Sequence, residues 1–315
     1  MTAASEMTRL VAVVGPTATG KSALGIAIAQ RLGGEVVNAD SMQLYRGMDV
    51  GTAKLSEAEQ QGVPHHLLDI WDVTRAASVA DYQQQARARI DELLARGVTP
   101  VLVGGSGLYV RAVIDPIDFP GTDPGTRAGL EAELASSGAP AMHARLAVAD
   151  PVTAAALSPH NGRKIVRALE VIAITGGPFT AALPSYDEAV YDTVHIGLDL
   201  ETSVLDARVE RRVEEMFAAG FEAEVRRLDG EGLRLGVTAS RALGYAQLLD
   251  VIDGRLGLAA ARADTVRATR RFVRRQRSWF RRDPRITWLD AADDPLTVAL
   301  KMITTGHTAT DASAR

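Results

Sequence analysis

Eight residues, "GPTATGKS" at positions 15–22, match the pattern G-x-x-x-x-G-K-[ST] in full. The chemistry of that spacing is anion capture. Gly15 and Gly20 let the backbone curl, so that the N–H groups of Pro16's followers Thr17, Ala18 and Thr19 can turn toward one oxyanion. Lys21 adds a full positive charge, and the Ser22 hydroxyl is a Mg²⁺ ligand type. The segment specifies di- or triphosphate binding. A kinase, a nucleotide hydrolase and a diphosphate-releasing transferase could all use it.

A second group starts at Asp40 in "NADSMQLYRGMDVGTAK" (38–54). Asp40 suits a general base or a Mg²⁺ ligand, and equally a helix N-cap. Ser41 and Gln43 are hydrogen-bonding types fit for a base edge, or for a solvated loop. "GGSGLYVRAV" (104–113) offers glycines for close backbone approach and one hydroxyl, Ser106. The pair in "VPHHLLDI" (63–70) reads as packed or loop histidines, because adjacent histidines share no helix face and no third metal ligand is evident.

These groups need a scaffold. "RLVAVVG" (9–15), "GEVVNAD" (34–40) and "TPVLVGGSG" (99–107) read as buried parallel strands. "KSALGIAIAQRL" (21–32) has helical apolar spacing. "SVADYQQQARARIDELLARG" (78–97) opens on the capping pair Ser78 and Asp81 and stops at Gly97. Alternating strands and helices predict an α/β fold, a P-loop NTPase-like parallel sheet core. Its sites belong at the carboxyl ends of the strands, where 15–22, 40–43 and 104–107 all fall. Unlike a usual nucleotide hydrolase, the third strand ends without an Asp; the second ends on Asp40 instead. Residues 115–190 are rich in prolines and helical segments ("LEAELASSG", "GRKIVRALEVIAITG") and read as a helical insertion domain. Residues 1–114 and 191–305 then form a discontinuous core, with strands at 194–200 and 285–290, and 306–315 reads as a disordered tail.

The chain has 315 residues, 46% hydrophobic and 23% charged, with net charge −4 and no cysteine. That excludes disulfides, thiolate metal sites and a cysteine nucleophile. No apolar run is long enough to span a membrane and no signal-peptide core is present, so no membrane partner and a cytoplasmic location are expected. Any nucleic-acid surface must be local. "TVRATRRFVRRQRSWFRRDPR" (265–285) supplies one: nine arginines and a single Asp, with Arg270, Arg274, Arg277 and Arg281 on one helical face. "NGRKIVRALE" (161–170) adds a second basic turn.

"GPTATGKS", "NADSMQLYRGMDVGTAK", "VPHHLLDI", "VLVGGSGLYVRA", "RKIVRALEV", "LDARVERRVEEMFAAGFEAEV", "RALGYAQ" and "ATRRFVRRQRSWFRRD", in this order, together resemble the tRNA dimethylallyltransferase (tRNA isopentenyltransferase) family. The resemblance implies transfer of a dimethylallyl group from dimethylallyl diphosphate to N6 of the adenine 3′ of the anticodon, with diphosphate leaving and Mg²⁺ assisting. It implies that the loop, with Lys21, holds the diphosphate, and that Arg208 and Arg212 form a basic pair on that side. Asp40 would be the general base. Asp40, Ser41, Met42, Gln43 and Ser106 would meet the target nucleotide. Arg127, the stretch Arg163, Lys164 to Arg167, the stretch Arg241, Gly244, Tyr245, and the stretch Arg274, Arg275, Gln276, Trp279, Arg281 would contact the anticodon stem-loop of tRNA. Arg163 stands where the family often has Gln. Without cysteine the chain lacks the zinc finger of eukaryotic members, so the likeness is to bacterial ones, and a monomer is expected.

Three rivals remain at this level. A small-molecule kinase would consume ATP and has no use for the arginine helix. An adenylate isopentenyltransferase would prenylate a free nucleotide. A nucleotide-gated RNA-binding protein would bind tRNA and give Asp40 no chemical role.

Overall fold

The computed structural model describes residues 9–179 and 183–305. The expected disordered tail, 306–315, lies outside the described residues. The chain forms two compact units. One runs to Asp115 and resumes at Ala189; the other is Pro116–Glu188.

In the first unit the elements follow as β1 (Leu10–Val14), α1 (Lys21–Leu32), β2 (Glu35–Asn38), β3 (His65–His66), α2 (Val79–Ala95), β4 (Pro100–Gly104) and α3 (Gly107–Ile114). The second unit contributes α4 (Pro124–Ala149), α5 (Pro151–Ala156) and α6 (Gly162–Thr175). The first unit then continues through β5 (Thr193–Asp199), α7 (Thr202–Ala218), α8 (Phe221–Gly230), α9 (Tyr245–Ile252), α10 (Leu258–Phe280), β6 (Thr287–Asp290) and α11 (Pro295–Thr305).

The six strands make one parallel sheet in the order β3-β2-β4-β1-β5-β6. Every residue of β1 and β4 is buried, as continuous apolar runs in a sheet covered on both faces require. Leu10, Ala12, Val14 and Leu102 face one core, with Tyr82, Ile90, Tyr109 and Phe280. Val11, Val13, Val101 and Val103 face the other, with Leu24, Ile28 and Met302. The period-2 alternation thus sorts one strand's side chains into two cores.

The Ser78 cap forms as read: its hydroxyl accepts from Asp81 N–H at 3.1 Å. The histidine pair is not in a loop. His65 and His66 are the edge strand β3, and His66 Nε2 lies 2.5 Å from Glu35 Oε2.

The second unit is helical among its described residues. α4 breaks at Gly138 (φ +80°) just before Pro140, and Leu130, Met142, Leu146, Ile165 and Leu169 form its own core. Buried Glu170 accepts from both Arg127 and Arg167, and Arg167 also donates to the Pro120 and Gly121 carbonyls.

Candidate functional site

Parallel pairing brings the carboxyl ends of β1, β2 and β4 level: Val14 pairs with Gly104, and Asn38 with Val103. Three loops leave from this edge. They enclose a cleft lined by Thr17, Lys21, Ser22, Asn38, Asp40, Gln43, Gly104, Gly105 and Arg212, with Val36, Leu55, Leu68 and Val103 as apolar wall.

The phosphate loop is shaped by its backbone. Gly15 has φ +135°, and a Cβ there would lie 2.3 Å from the Leu198 carbonyl oxygen of β5. Ala18 (φ +65°) and Gly20 (φ +95°) are also left-handed, the alternation that turns successive N–H groups inward. Gly20 caps α1 with no side-chain acceptor, and the first turn carries no acid. The helix therefore presents uncapped N–H groups and its positive end to the cleft. Thr19 Oγ1 donates to the Pro16 carbonyl at 2.9 Å, and Lys21 Nζ donates to the same oxygen at 2.5 Å. Burial, then the neighbouring Arg212 charge, push the Lys21 ammonium down to about 7, against a raising effect of Asp40. Arg212 comes from α7 and donates to Thr17 Oγ1 at 3.2 Å; its own pKa is lowered, first by burial. Two basic side chains and a helix N-terminus thus converge on one point. Arg208, one turn earlier on α7, is half-buried and does not line the cleft.

Asp40 faces the loop from the end of β2. It is no helix cap. Its Oδ1 accepts from Met42 N–H at 2.9 Å in a tight turn. Asn38 fixes that turn on both sides: Oδ1 accepts Asp40 N–H at 2.9 Å, and Nδ2 donates to the Asp40 and Leu67 carbonyls at 3.1 and 3.0 Å. Tyr82 holds the floor with its hydroxyl on the Asn38 carbonyl at 2.8 Å. Gly104 has no room for a Cβ, which would lie 2.3 Å from the Ala39 carbonyl, so β2 and β4 can leave the sheet side by side. Gln43 donates to the Thr52 carbonyl at 3.2 Å and lines the cleft. Ser41, Met42 and Ser106 are half-buried beside it.

The cleft's oxygen donors are few. Ser22 makes no side-chain hydrogen bond among the described residues, and Asp40 Oδ2 accepts none there. One hydroxyl and one carboxylate suit a Mg²⁺ that takes its other ligands from phosphate and water. No cluster of three or more His, Asp or Glu side chains among the described residues makes a dedicated metal cage.

α10 forms as expected, and the face of Arg270, Arg274, Arg277 and Arg281 meets acids of α7 and β5. Arg270 reaches Glu210 at 2.8 Å, Arg274 reaches Asp206 at 3.1 Å, and Arg277 and Arg281 share Asp199 at 2.7 and 3.1 Å. Arg277 also donates to Thr202 Oγ1 and the Leu200 carbonyl, so this face fastens α10 to α7 and to the end of β5. Arg267, Arg271, Arg275 and Arg282 are exposed around the rest of the segment, and Arg275 stacks over Phe272.

Three expected tRNA contacts are interior. Gln276 is 5% exposed and bonded to the phosphate loop and to Gly105. Tyr245 is fully buried, with its hydroxyl on Glu224 Oε1 at 2.6 Å. Gly244 beside it is buried under Phe221, where a Cβ would meet the ring at 2.4 Å. Trp279 is half-buried, its indole packed on the bare face of Gly107. Arg241, Arg163 and Lys164 are exposed, whereas Arg127 and Arg167 are engaged with Glu170.

Glu224 itself was not singled out from the sequence. It is buried on α8 and accepts the N–H groups of Asp49, Val50 and Gly51 at 3.0, 2.7 and 3.1 Å. It thereby shapes the far end of the segment that begins at Asp40.

The family model described as IPP transferase matches residues 43–283. A tRNA dimethylallyltransferase from Streptomyces coelicolor is 65% identical over 289 residues, covering 92% of each chain. One from Acidothermus cellulolyticus is 60% identical, covering 95% of this chain and 94% of its own. The crystal structure of full-length tRNA isopentenylpyrophosphate transferase from Bacillus halodurans superposes with a TM-score of 0.69 at 41% identity, covering 94% of this chain and 95% of that one. A eukaryotic dimethylallyltransferase acting on tRNA shares the fold, with a TM-score of 0.78 at 24% identity.

Proposed function

The chain belongs to the IPP transferase family, and on that premise we propose that it transfers a dimethylallyl group from dimethylallyl diphosphate to N6 of the adenine 3′ of the anticodon in tRNA, releasing diphosphate. One observation carries the assignment of roles: the phosphate loop with Lys21 and Arg212, and Asp40 with Gln43, line the same cleft.

The loop amides, Lys21 and Arg212 hold the diphosphate. As the allylic C–O bond breaks, negative charge grows on the departing oxygen, and these preorganised donors stabilise it where it forms. The Ser22 hydroxyl, with Asp40 at hand, would hold Mg²⁺, which would supply further charge neutralisation. The adenine amine is a weak nucleophile because its lone pair is delocalised. Asp40 accepts the proton that N6 loses as the new C–N bond forms, its carboxylate aimed by the Met42 N–H bond and by Asn38. The target base must leave its stack to reach this cleft. Ser41, Gln43 and Ser106 line or border the approach and offer hydrogen bonds to it. The exposed bases Arg163, Lys164, Arg241, Arg274, Arg275 and Arg281 supply charge toward the tRNA backbone. No described helix is long and apolar enough to cross a membrane; a tRNA substrate is the argument for a cytoplasmic location.

Incubation with Mg²⁺, labelled dimethylallyl diphosphate and unmodified tRNA, followed by digestion, tests this reading. Label recovered as N6-prenylated adenosine supports it. Label in AMP rather than tRNA moves the protein to free-nucleotide prenylation. ATP consumption without prenyl transfer leaves a kinase.

A further inference from the structure

We propose that Gln276 is a positioning residue for the diphosphate: from the interior of α10 it ties the phosphate loop to the loop that carries Ser106. The inference rests on the diphosphate reading of the cleft. Gln276 is 5% exposed, and both ends of its amide are engaged. Oε1 accepts Thr17 N–H at 3.0 Å, and Nε2 donates to the Gly105 carbonyl at 2.8 Å. The two partners belong to different loops, after β1 and after β4. No other side chain of the described residues bonds to both.

The surroundings are built around this bridge. Gly105 has no side chain, and a Cβ there would lie 2.3 Å from Gln276 Nε2. Gly107 is bare as well, and a Cβ would lie 2.1 Å from Trp279. Two successive turns of α10 therefore press into the glycines that flank Ser106. Within the phosphate loop, the Thr17 N–H is used by Gln276, which leaves the amides after it for the oxyanion. The Thr17 hydroxyl accepts from Arg212, so one residue is held at its backbone by α10 and at its side chain by α7. The height of the loop relative to Asp40 and Ser106 is thus set by a side chain that touches no substrate. Packing alone would be served by any residue of this volume. A paired donor and acceptor, with both partners on catalytic loops, specifies orientation.

Gln276→Met keeps the volume and removes both hydrogen bonds. The orphaned Thr17 N–H and Gly105 carbonyl correspond to a change of about five- to a hundredfold. Calorimetry with inorganic diphosphate and Mg²⁺ is expected to show weakening in that range, with single-turnover prenyl transfer slowed at saturating donor. Affinity for unmodified tRNA without donor stays within about twofold. Weakened tRNA binding with unchanged diphosphate binding would overturn the inference and make Gln276 an RNA contact. A wild-type protein that binds no diphosphate would sink the cleft reading and this inference with it, whereas wild type and variant binding alike would sink only the inference.

Gln276→Glu adds a readout that packing would not move, and serves if the Met variant fails to fold. A protonated carboxyl can accept from Thr17 and donate to the Gly105 carbonyl as the amide does; a carboxylate cannot donate. The ratio of variant to wild-type transfer rate is therefore expected to climb as pH falls from about 8 to about 5.5. A flat ratio would refute the bridge.

Discussion

Ser41 and Ser106 bond to each other twice, between the loops that follow β2 and β4. Ser106 Oγ accepts the Ser41 N–H at 3.1 Å and donates to Ser41 Oγ at 3.1 Å. They leave the ends of two adjacent parallel strands, β2 and β4, and the pair fixes how far the Asp40 turn can swing from the loop that follows β4. Ser106→Ala removes both bonds and leaves Ser41 N–H without its partner. The expected loss is about 1 kcal/mol of transition-state stabilisation, or roughly fivefold in kcat/KM for tRNA. Ser106→Thr, which retains the hydroxyl, is expected to keep most of the activity. Equal activity of the Ala variant and wild type in steady-state kinetics would remove Ser106 from the site.

Asp40 is the carboxylate that faces the phosphate loop across the cleft, and the proposed proton acceptor. Asp40→Asn keeps the turn, because the amide oxygen can still accept from Met42 N–H, but takes no proton. Transfer is expected to fall by about 10² to 10⁴-fold while tRNA binding holds. A rate within tenfold of wild type would assign the proton to another acceptor.

Glu224 accepts three consecutive backbone N–H groups and the Tyr245 hydroxyl, from a buried position. Burial and this carboxylate push the Tyr245 phenol well up, so the tyrosine serves as a donor. Glu224→Gln sets an NH₂ against donors and is expected to cost about 2–4 kcal/mol in denaturant unfolding. Tyr245→Phe loses one hydrogen bond and is expected to cost about 1 kcal/mol, with tRNA affinity unchanged. Weakened tRNA binding in a stably folded Tyr245→Phe would restore the reading that placed Tyr245 against RNA.

The burial of Tyr245 and Gln276 shows which parts of this site a sequence can reveal. The phosphate loop was legible because its chemistry is local: eight residues, a strand before and a helix after. Asp40 was legible because it ends a strand in an α/β alternation. The interior roles were not. Gln276 finds its partner 171 residues away and Tyr245 finds Glu224 across a helix boundary, so neither motif reveals whether its polar end meets protein or ligand. The ion pairs of the arginine face were hidden for the same reason. Its acids, Asp199, Asp206 and Glu210, lie on β5 and α7, and only the packing of α10 on α7 brings them together. Burial of a polar residue is a tertiary property, and periodicity within one helix does not encode it.

Lys21 gives the cleft a pH dependence whose sign is fixed. Burial and Arg212 bring its pKa down to about 7 from an ordinary lysine value of 10.5. Between these two values the unfolded chain holds a proton that the folded chain lacks, so this residue makes stability rise with pH through that window and contributes nothing to the slope below about 7. Diphosphate reverses the balance, because the bound anion favours the ammonium form. At pH 8 the free protein holds Lys21 largely neutral, and binding must draw a proton from solvent; at pH 6 the proton is already there. Calorimetric titration with inorganic diphosphate, repeated in buffers of different ionisation enthalpy, is therefore expected to show uptake approaching one proton at pH 8 and close to none at pH 6. The Lys21→Met variant isolates this from the diphosphate's own titration, and the difference between the two proteins is the quantity to read. Affinity should fall as pH rises above 7 in wild type and change less in the variant. Equal proton uptake by both proteins at pH 8 would mean that Lys21 is already charged in the empty cleft, and that Asp40 outweighs burial and Arg212 there.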